Sequence, residues 1–307
     1  MTAGATQQAD ARRLLLAGLV DYAGLFPPAG LPMADAVARY DEYRKGEHAW
    51  ALGKFVVPVA RLTEFADAAR PLFGGGGAWR LAVVAGADFR ADVRAIAGFA
   101  RRAAPGAGIG AIEVKASTAE QVGDIADAVV SLRTQVSDAF DTYVEVPIAD
   151  DPSPLIRSIA SHGLRAKVRT GGVEAGAFPT AAQLARFLGA CTALGVPFKA
   201  TAGLHHALRG AYPLTYDRES ERGMMFGFLN VFLAAMFTGD GLDAADAREL
   251  LEERDPGSFA FSASGVAWRG RAVTAAAIRG ARDRAAVSFG SCSFAEPVAD
   301  LSSLGLL

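Results

Sequence analysis

Two lysines stand at matching places in successive segments of the chain. One is in Lys167-Val168-Arg169-Thr170-Gly171-Gly172, the other in Phe198-Lys199-Ala200-Thr201-Ala202-Gly203-Leu204-His205-His206. Each run begins apolar or alternating and stops at glycine, the pattern of a strand that delivers side chains to a loop. A lysine inside a sheet costs roughly several kcal/mol unless a partner or a reaction uses it. An amine desolvated beside another cation is also how a lysine nucleophile is prepared. The chemistry on offer is attack of an amine on a carbonyl, giving an imine. No organic cofactor is then required, because the protonated imine is itself the electron sink.

Strand alternation decides which other side chains join these two. In Ala111-Ile112-Glu113-Val114-Lys115 the two charges share a face, as they do in Tyr143-Val144-Glu145 and Arg165-Ala166-Lys167-Val168-Arg169. If apolar helices cover the outside of a barrel, the charged face is its interior. Glu113, Lys115, Glu145, Lys167, Arg169, Lys199 and Thr201 then converge towards the C-terminal mouth. Such groups must pair, and pairing in a confined space shifts pKa values. Arg169 suits a carboxylate or phosphate, or else an interior glutamate. Thr170, beside it, joins the candidate binding set, and Lys115 is either an ion-pair partner or a binding group.

The positioning elements follow from the rhythm of the chain. Short β-branched runs alternate with alanine-rich, helically periodic segments, as βα units do. Eight strands are predicted: Leu19 to Leu25, Gly53 to Val59, Trp79 to Ala85, Gly108 to Ala116, Thr142 to Pro147, Arg165 to Thr170, Pro197 to Ala202 and Ala286 to Ser291. The α/β class and the count point to a (β/α)8 TIM barrel, read as a single domain over residues 1–307. A helix over Gln7 to Gly18 precedes the first strand. Residues 207–285 form a long helical insertion or lid before the last strand, with helices over Arg218 to Phe237 and Ala244 to Glu253 and a turn at Trp268-Arg269-Gly270-Arg271.

Further candidates sit at strand ends. Asp21 and Tyr22 close the first strand and are candidates for substrate contact, or for a turn role. His205 and His206 follow the seventh strand, as acid/base or hydrogen-bonding groups. Adjacent histidines on extended chain point in opposite directions, so they seldom bind one metal together. Ser291, Cys292 and Ser293 leave the last strand as a polar exit. A nucleophilic Cys292 needs a histidine base and an orienting group within reach.

Composition narrows the classes. With 51% hydrophobic and 21% charged residues among 307, the chain can bury a large core. A net charge of -2 argues against a nucleic-acid binder. Two cysteines and a polar N-terminus without a signal-peptide pattern favour the cytoplasm. The most apolar stretch, Met224 to Phe237, contains Asn230 and is shorter than the roughly 20 residues of a membrane span. Its apolar face could meet the barrel or a second copy, so a homo-oligomer stays open.

The segment from Lys167 to His206 resembles the deoxyribose-phosphate aldolase family, class I aldolases on a (β/α)8 barrel. By that resemblance Lys167, before Thr170-Gly171-Gly172, matches the Schiff-base lysine. Lys199, in Phe198-Lys199-Ala200-Thr201-Ala202-Gly203, matches the second lysine, which perturbs the first and assists proton transfer. Glu113 or Glu145 would supply the acidic partner. Arg169 stands where the family has a small residue, and His205-His206 replace glycine and polar residues that would help bind a phosphate. Most of the chain is also similar to an uncharacterised group of bacterial proteins that share Asp21-Tyr22-Ala23-Gly24-Leu25-Phe26-Pro27-Pro28 and Gly290-Ser291-Cys292-Ser293-Phe294.

The reading that unites these residues is a lyase that forms a Schiff base on Lys167 with an aldehyde or ketone, for aldol cleavage, condensation or related chemistry. Burial, Lys199 and Arg169 are expected to lower the Lys167 pKa, while Lys199, Glu145 or a histidine moves protons. The partner is a small carbonyl or anionic substrate, with no metal assigned. One alternative is a metal-assisted lyase or hydrolase using Glu113, Glu145 and His205 or His206. Another is a non-catalytic barrel that binds a small anion, its lysines held in a purely structural ion-pair network.

Overall fold

The computed structural model describes residues 10–75, 77–103 and 106–307. In chain order the elements begin α1 (Ala11–Leu16), β1 (Val20–Tyr22), α2 (Met33–Lys45), β2 (Leu52–Pro58), α3 (Leu62–Ala69), β3 (Trp79–Val84), α4 (Phe89–Ala103), β4 (Ala107–Lys115) and α5 (Ala119–Arg133). They continue β5 (Asp141–Glu145), α6 (Ser153–Ser161), β6 (Arg165–Arg169), α7 (Ala181–Leu194), β7 (Phe198–Thr201), β8 (Gly210–Pro213), β9 (Arg222–Met225), α8 (Phe228–Gly239) and α9 (Ala244–Glu252). The chain ends β10 (Phe259–Ser262), β11 (Gly265–Trp268), β12 (Arg271–Thr274), α10 (Ala275–Arg284), β13 (Ala286–Ser291) and α11 (Ala295–Ser303). Eight parallel strands close into a barrel in the order β1-β13-β7-β6-β5-β4-β3-β2. This is the (β/α)8 fold that the sequence predicts.

Alternation explains the closure. Phe55 and Val57, Leu81 and Val83, Ile112 and Val114, Ala166 and Val168, and Phe198 and Ala200 are buried on the outer face, in the core shared with the helices. The intervening positions face the lumen, where Val56, Ala82, Ala111 and Tyr143 form a separate small cluster. Side chains satisfy free N–H groups at several helix starts, two of them as full capping boxes. Thr118 and Gln121 cap α5 reciprocally, and Thr180 and Gln183 do the same for α7. Gly195, with φ of 63°, ends α7 in the left-handed conformation that glycine adopts without a Cβ clash. The first strand is shorter than Leu19 to Leu25, because after Tyr22 the chain turns, with Phe26 N donating to Ala23 O, into Pro27 and Pro28.

Residues 207–285 depart most from expectation. The helix predicted over Arg218 to Phe237 begins only at Phe228, because β8 and β9 pair as an antiparallel hairpin. Beyond α9, β10, β11 and β12 form an antiparallel sheet. The Trp268-Arg269-Gly270-Arg271 turn closes one of its hairpins, with Arg269 and Gly270 at φ of 47° and 78°. Ala11 N donates to Ala263 O beside this sheet, so the sheet lies near α1, at the N-terminal end of the barrel. Of this insertion, the β8–β9 hairpin is the part that reaches the mouth, where Tyr216 meets Glu296 and Cys292. Of the helix predicted over Gln7 to Gly18, the described part is α1, and Gln7 to Ala9 lie outside the described residues.

The apolar α8 is buried from Phe228 to Phe237 and stacks Phe228 on Phe289 of β13 at 4.9 Å. Among the described residues no helix is long and apolar enough to cross a membrane. Asn230 does not reach the mouth. Fully buried, it accepts from Arg209 N at 2.9 Å and donates to Leu250 O at 2.8 Å and Glu253 O at 2.9 Å. Replacing it with leucine strands these three backbone groups at about 1–3 kcal/mol for each that stays buried. Asn230→Leu is therefore expected to lower the urea midpoint clearly while leaving the far-ultraviolet circular dichroism of the folded state unchanged.

Candidate active site

The inward side chains of six barrel residues join into one row of alternating charge. Asp21 of β1 accepts from Lys199 Nζ of β7 at 2.6 Å and from Ser288 Oγ of β13 at 2.8 Å. Lys199 Nζ also lies 2.5 Å from Glu113 Oε1 of β4. The other oxygen of Glu113 meets Lys167 Nζ of β6 at 2.8 Å, and Lys167 Nζ meets Glu145 Oε2 of β5 at 2.8 Å. Lys115 Nζ closes the row at the mouth, 3.6 Å from Glu145 Oε1. The pairing depends on register, since β5–β6 and β6–β7 set Glu145, Lys167 and Lys199 side by side. It also depends on Gly53, where a Cβ would stand 2.3 Å from Asp21 Oδ1.

Electrostatics fix the resting charges. Burial pushes the Glu113 carboxyl up, but Lys167 and Lys199 outweigh it and hold the group down at about 2. Burial likewise raises the Asp21 carboxyl, and Lys199 and Lys54 bring it below the usual carboxylate range. Burial pulls the Lys167 ammonium down, and Glu113 and Glu145 more than reverse this. Lys199 follows the same rule with Asp21 and Glu113. The expectation that Lys167 has a lowered pKa is thus overturned, because its nearest neighbours are carboxylates and its fellow cation lies on the far side of Glu113.

Above this row opens a cavity of about 350 Å³. Glu113, Lys115, Glu145, Lys167, Arg169, Thr201, His205 and Cys292 line it, so the structure brings together eight of the residues singled out by sequence. Lys167 is 5% exposed and lines this cavity; Lys199, at 1%, does not. Lys115 and Arg169 are exposed at the rim. Phe26, Pro27 and Pro28 form part of the wall.

Several predicted contacts lie elsewhere. Asp21 sits mid-strand below the cavity as an anchor for Lys199, because β1 is short and ends one residue later. Tyr22 faces outward, its ring 5.4 Å from that of Tyr43. Thr170 also points out of the lumen, and its hydroxyl donates to Ala202 O at 2.6 Å. That bond has a structural use. Ala202 lines the cavity at a φ of 61°, uncommon for a residue with a Cβ, and such backbone persists only where its surroundings hold it. Ser291 Oγ accepts from Ser293 N at 3.3 Å, and Ser293 Oγ accepts from Glu296 N at 3.2 Å, so both shape the start of α11.

The two histidines diverge, as alternation predicts. His206 turns from the cavity to Asp300, 3.2 Å away, and stacks on Tyr212. His205 turns in, its Nδ1 lying 3.2 Å from Glu296 Oε2 and 3.8 Å from Cys292 Sγ. Burial lowers its pKa, and Cys292 and Glu296 outweigh this, pushing it up to about 9. Tyr216, between β8 and β9, donates to Glu296 Oε2 at 3.0 Å and lies 3.5 Å from Cys292 Sγ. Glu296, Tyr216 and Ser288 were outside the sequence-based set. Glu296 carried a signal, since it follows the polar exit by three residues at a helix start. Tyr216 and Ser288 carried none.

Glu113 has both oxygens engaged by lysines, and Glu145 faces Lys167 and Lys115. Among the described residues, no three His, Cys, Asp or Glu side chains are grouped to hold a metal ion. No protein-family model matches the chain, and no curated protein matches it either.

Proposed function

We propose that the protein is a lyase that works through an imine on Lys167, breaking or making a carbon–carbon bond beside an aldehyde or ketone. The observation that carries this reading is the unequal access of the paired lysines. Lys167 lines the cavity between two carboxylates, whereas Lys199 is sealed beneath Glu113.

The resting Lys167 is an ammonium, so the reaction begins with its proton. Transfer to Glu145 leaves a neutral amine that adds to the substrate carbonyl; Glu145 then returns the proton to the adduct's hydroxyl, which leaves as water and gives an iminium. The iminium carries the same positive charge in the same place, so Glu113 keeps its partner and the row stays balanced. Glu145, again a carboxylate, takes the proton of the hydroxyl beside the bond being cut; the electrons of that bond flow into the iminium, releasing one carbonyl fragment and leaving an enamine. His205, cationic at neutral pH, faces the cavity and returns a proton to carbon. Hydrolysis then frees the product and regenerates the amine.

The test is borohydride reduction with a panel of small aldehydes, keto acids and sugar phosphates, read by intact-protein mass and peptide mapping. A stable adduct is expected on Lys167 and none in Lys167→Met. Mapping to Lys199 would reverse the two roles. If no carbonyl compound labels an interior lysine, the lyase reading is lost and the row is a structural ion-pair network. That second reading has support of its own, because the buried charges of the row are already paired.

A further inference from the structure

Two cavities meet at the mouth. Beside the one above Lys167 lies a wider cavity of about 600 Å³, and Lys115, Glu145 and Arg169 line both. The charges around the joint opening are not evenly distributed. Three ammoniums, Lys115, Lys167 and Lys199, face three carboxylates, Asp21, Glu113 and Glu145, so the row cancels. On the β7–β13 side, cationic His205 is matched by Glu296, and the Tyr216 hydroxyl is already donated to the same carboxylate. Arg169 is left over. It is exposed at the end of β6, and no hydrogen bond or ion pair joins its guanidinium to any described residue.

We infer that the substrate carries an oxyanion, a phosphate ester or a carboxylate, held by Arg169 and Lys115 on the β4–β6 side of the mouth, at the border of the two cavities. This rests on the lyase reading for the position of the carbonyl, but the anion site stands on its own residues. Arg169 presents a fork of donors that matches two oxygens at once. Lys115 is 3.6 Å from Glu145 and its side chain is 75% exposed, so it can turn to a third oxygen without uncovering a buried charge. The opposite side is unsuited to the same group, because Glu296 would stand against it and its donors are taken. Arg169 is two residues beyond Lys167 on the same strand face, a rise of roughly 7 Å. The oxyanion therefore belongs at the end of the substrate remote from the reacting carbonyl, with the wider cavity taking what is attached to it.

Isothermal titration of inorganic phosphate and of succinate tests this without any turnover. Saturable binding of at least one is expected, weakened tenfold or more in Arg169→Met and severalfold in Lys115→Met, and falling with added sodium chloride. Both side chains are exposed, so these variants keep the fold. Tighter binding of phosphate points to a phosphate ester, and tighter binding of succinate to a carboxylate. The inference is overturned if neither anion binds, or if both variants bind like the unaltered protein. Loss of anion binding in Arg169→Met with no borohydride adduct on Lys167 would keep the site and remove the lyase reading. An adduct on Lys167 with no anion bound would do the reverse.

Discussion

Replacing Glu113 by leucine should destabilise the protein by about 3–5 kcal/mol, the usual cost of removing one partner from a buried ion pair. The carboxylate is 2% exposed and bridges two ammoniums, so its loss strips a contact from both Lys167 and Lys199 inside the barrel. The melting temperature should drop by on the order of 10 °C. A double-mutant cycle with Lys167→Met should reveal coupling of about 1–3 kcal/mol, because the second replacement removes one of the charges that the first left exposed to apolar surroundings. Strictly additive effects, or a loss under about 1 kcal/mol, would mean that Glu113 does not hold the two lysines together.

Acid should weaken the fold over a window set by the same carboxylate. Glu113 titrates at about 2 in the native protein against 4.5 when unperturbed, so between those values the unfolded chain binds the extra proton. Its contribution is complete above pH 4.5 and fades as pH falls towards 2, amounting to about 3 kcal/mol at about 1.4 kcal/mol per pH unit. Asp21 acts in the same direction. His205 acts in the opposite one: its native value of about 9 lies above 6.5, so its contribution is present below pH 6.5 and is lost as pH rises through 9. Urea midpoints measured from pH 2 to 10 should form a dome, and Glu113→Gln should flatten its acid side. An unchanged acid limb in that variant would place the loss elsewhere.

The barrel and much of the cavity could be read from the sequence because both follow from alternation. Once Val114, Val168 and Ala200 are assigned to the helix-covered face, Glu113, Lys115, Lys167, Arg169, Lys199 and Thr201 can only face inward. His205 and His206 separate by the same rule. Alternation gives no depth along the barrel, which is why Asp21 and Tyr22 were expected at the mouth when one is an internal anchor and the other faces α2. Nor does it give the sign of a pKa shift. Two lysines on neighbouring strands suggest mutual repulsion, but the row places a carboxylate between them, and only the register of β4 against β6 and β7 across the lumen decides this. The β8–β9 hairpin was missed because Met224 to Phe237 reads as one apolar run, while the chain pairs its first residues with Ala211 and Gly210.

The charged row also bears on the order in which the chain assembles. Lys199 bonds to Asp21 across 178 residues of sequence and to Glu113 across 86. Asp21 and Lys199 stand on the two strands that flank β13, and Lys199 reaches Glu113 across β5 and β6, so neither contact is made until those intervening strands have paired. Contacts of such long range bear the loop-closure cost before they return any energy. The Lys199 contacts are therefore expected to form late, as a latch that slows unfolding more than it speeds folding.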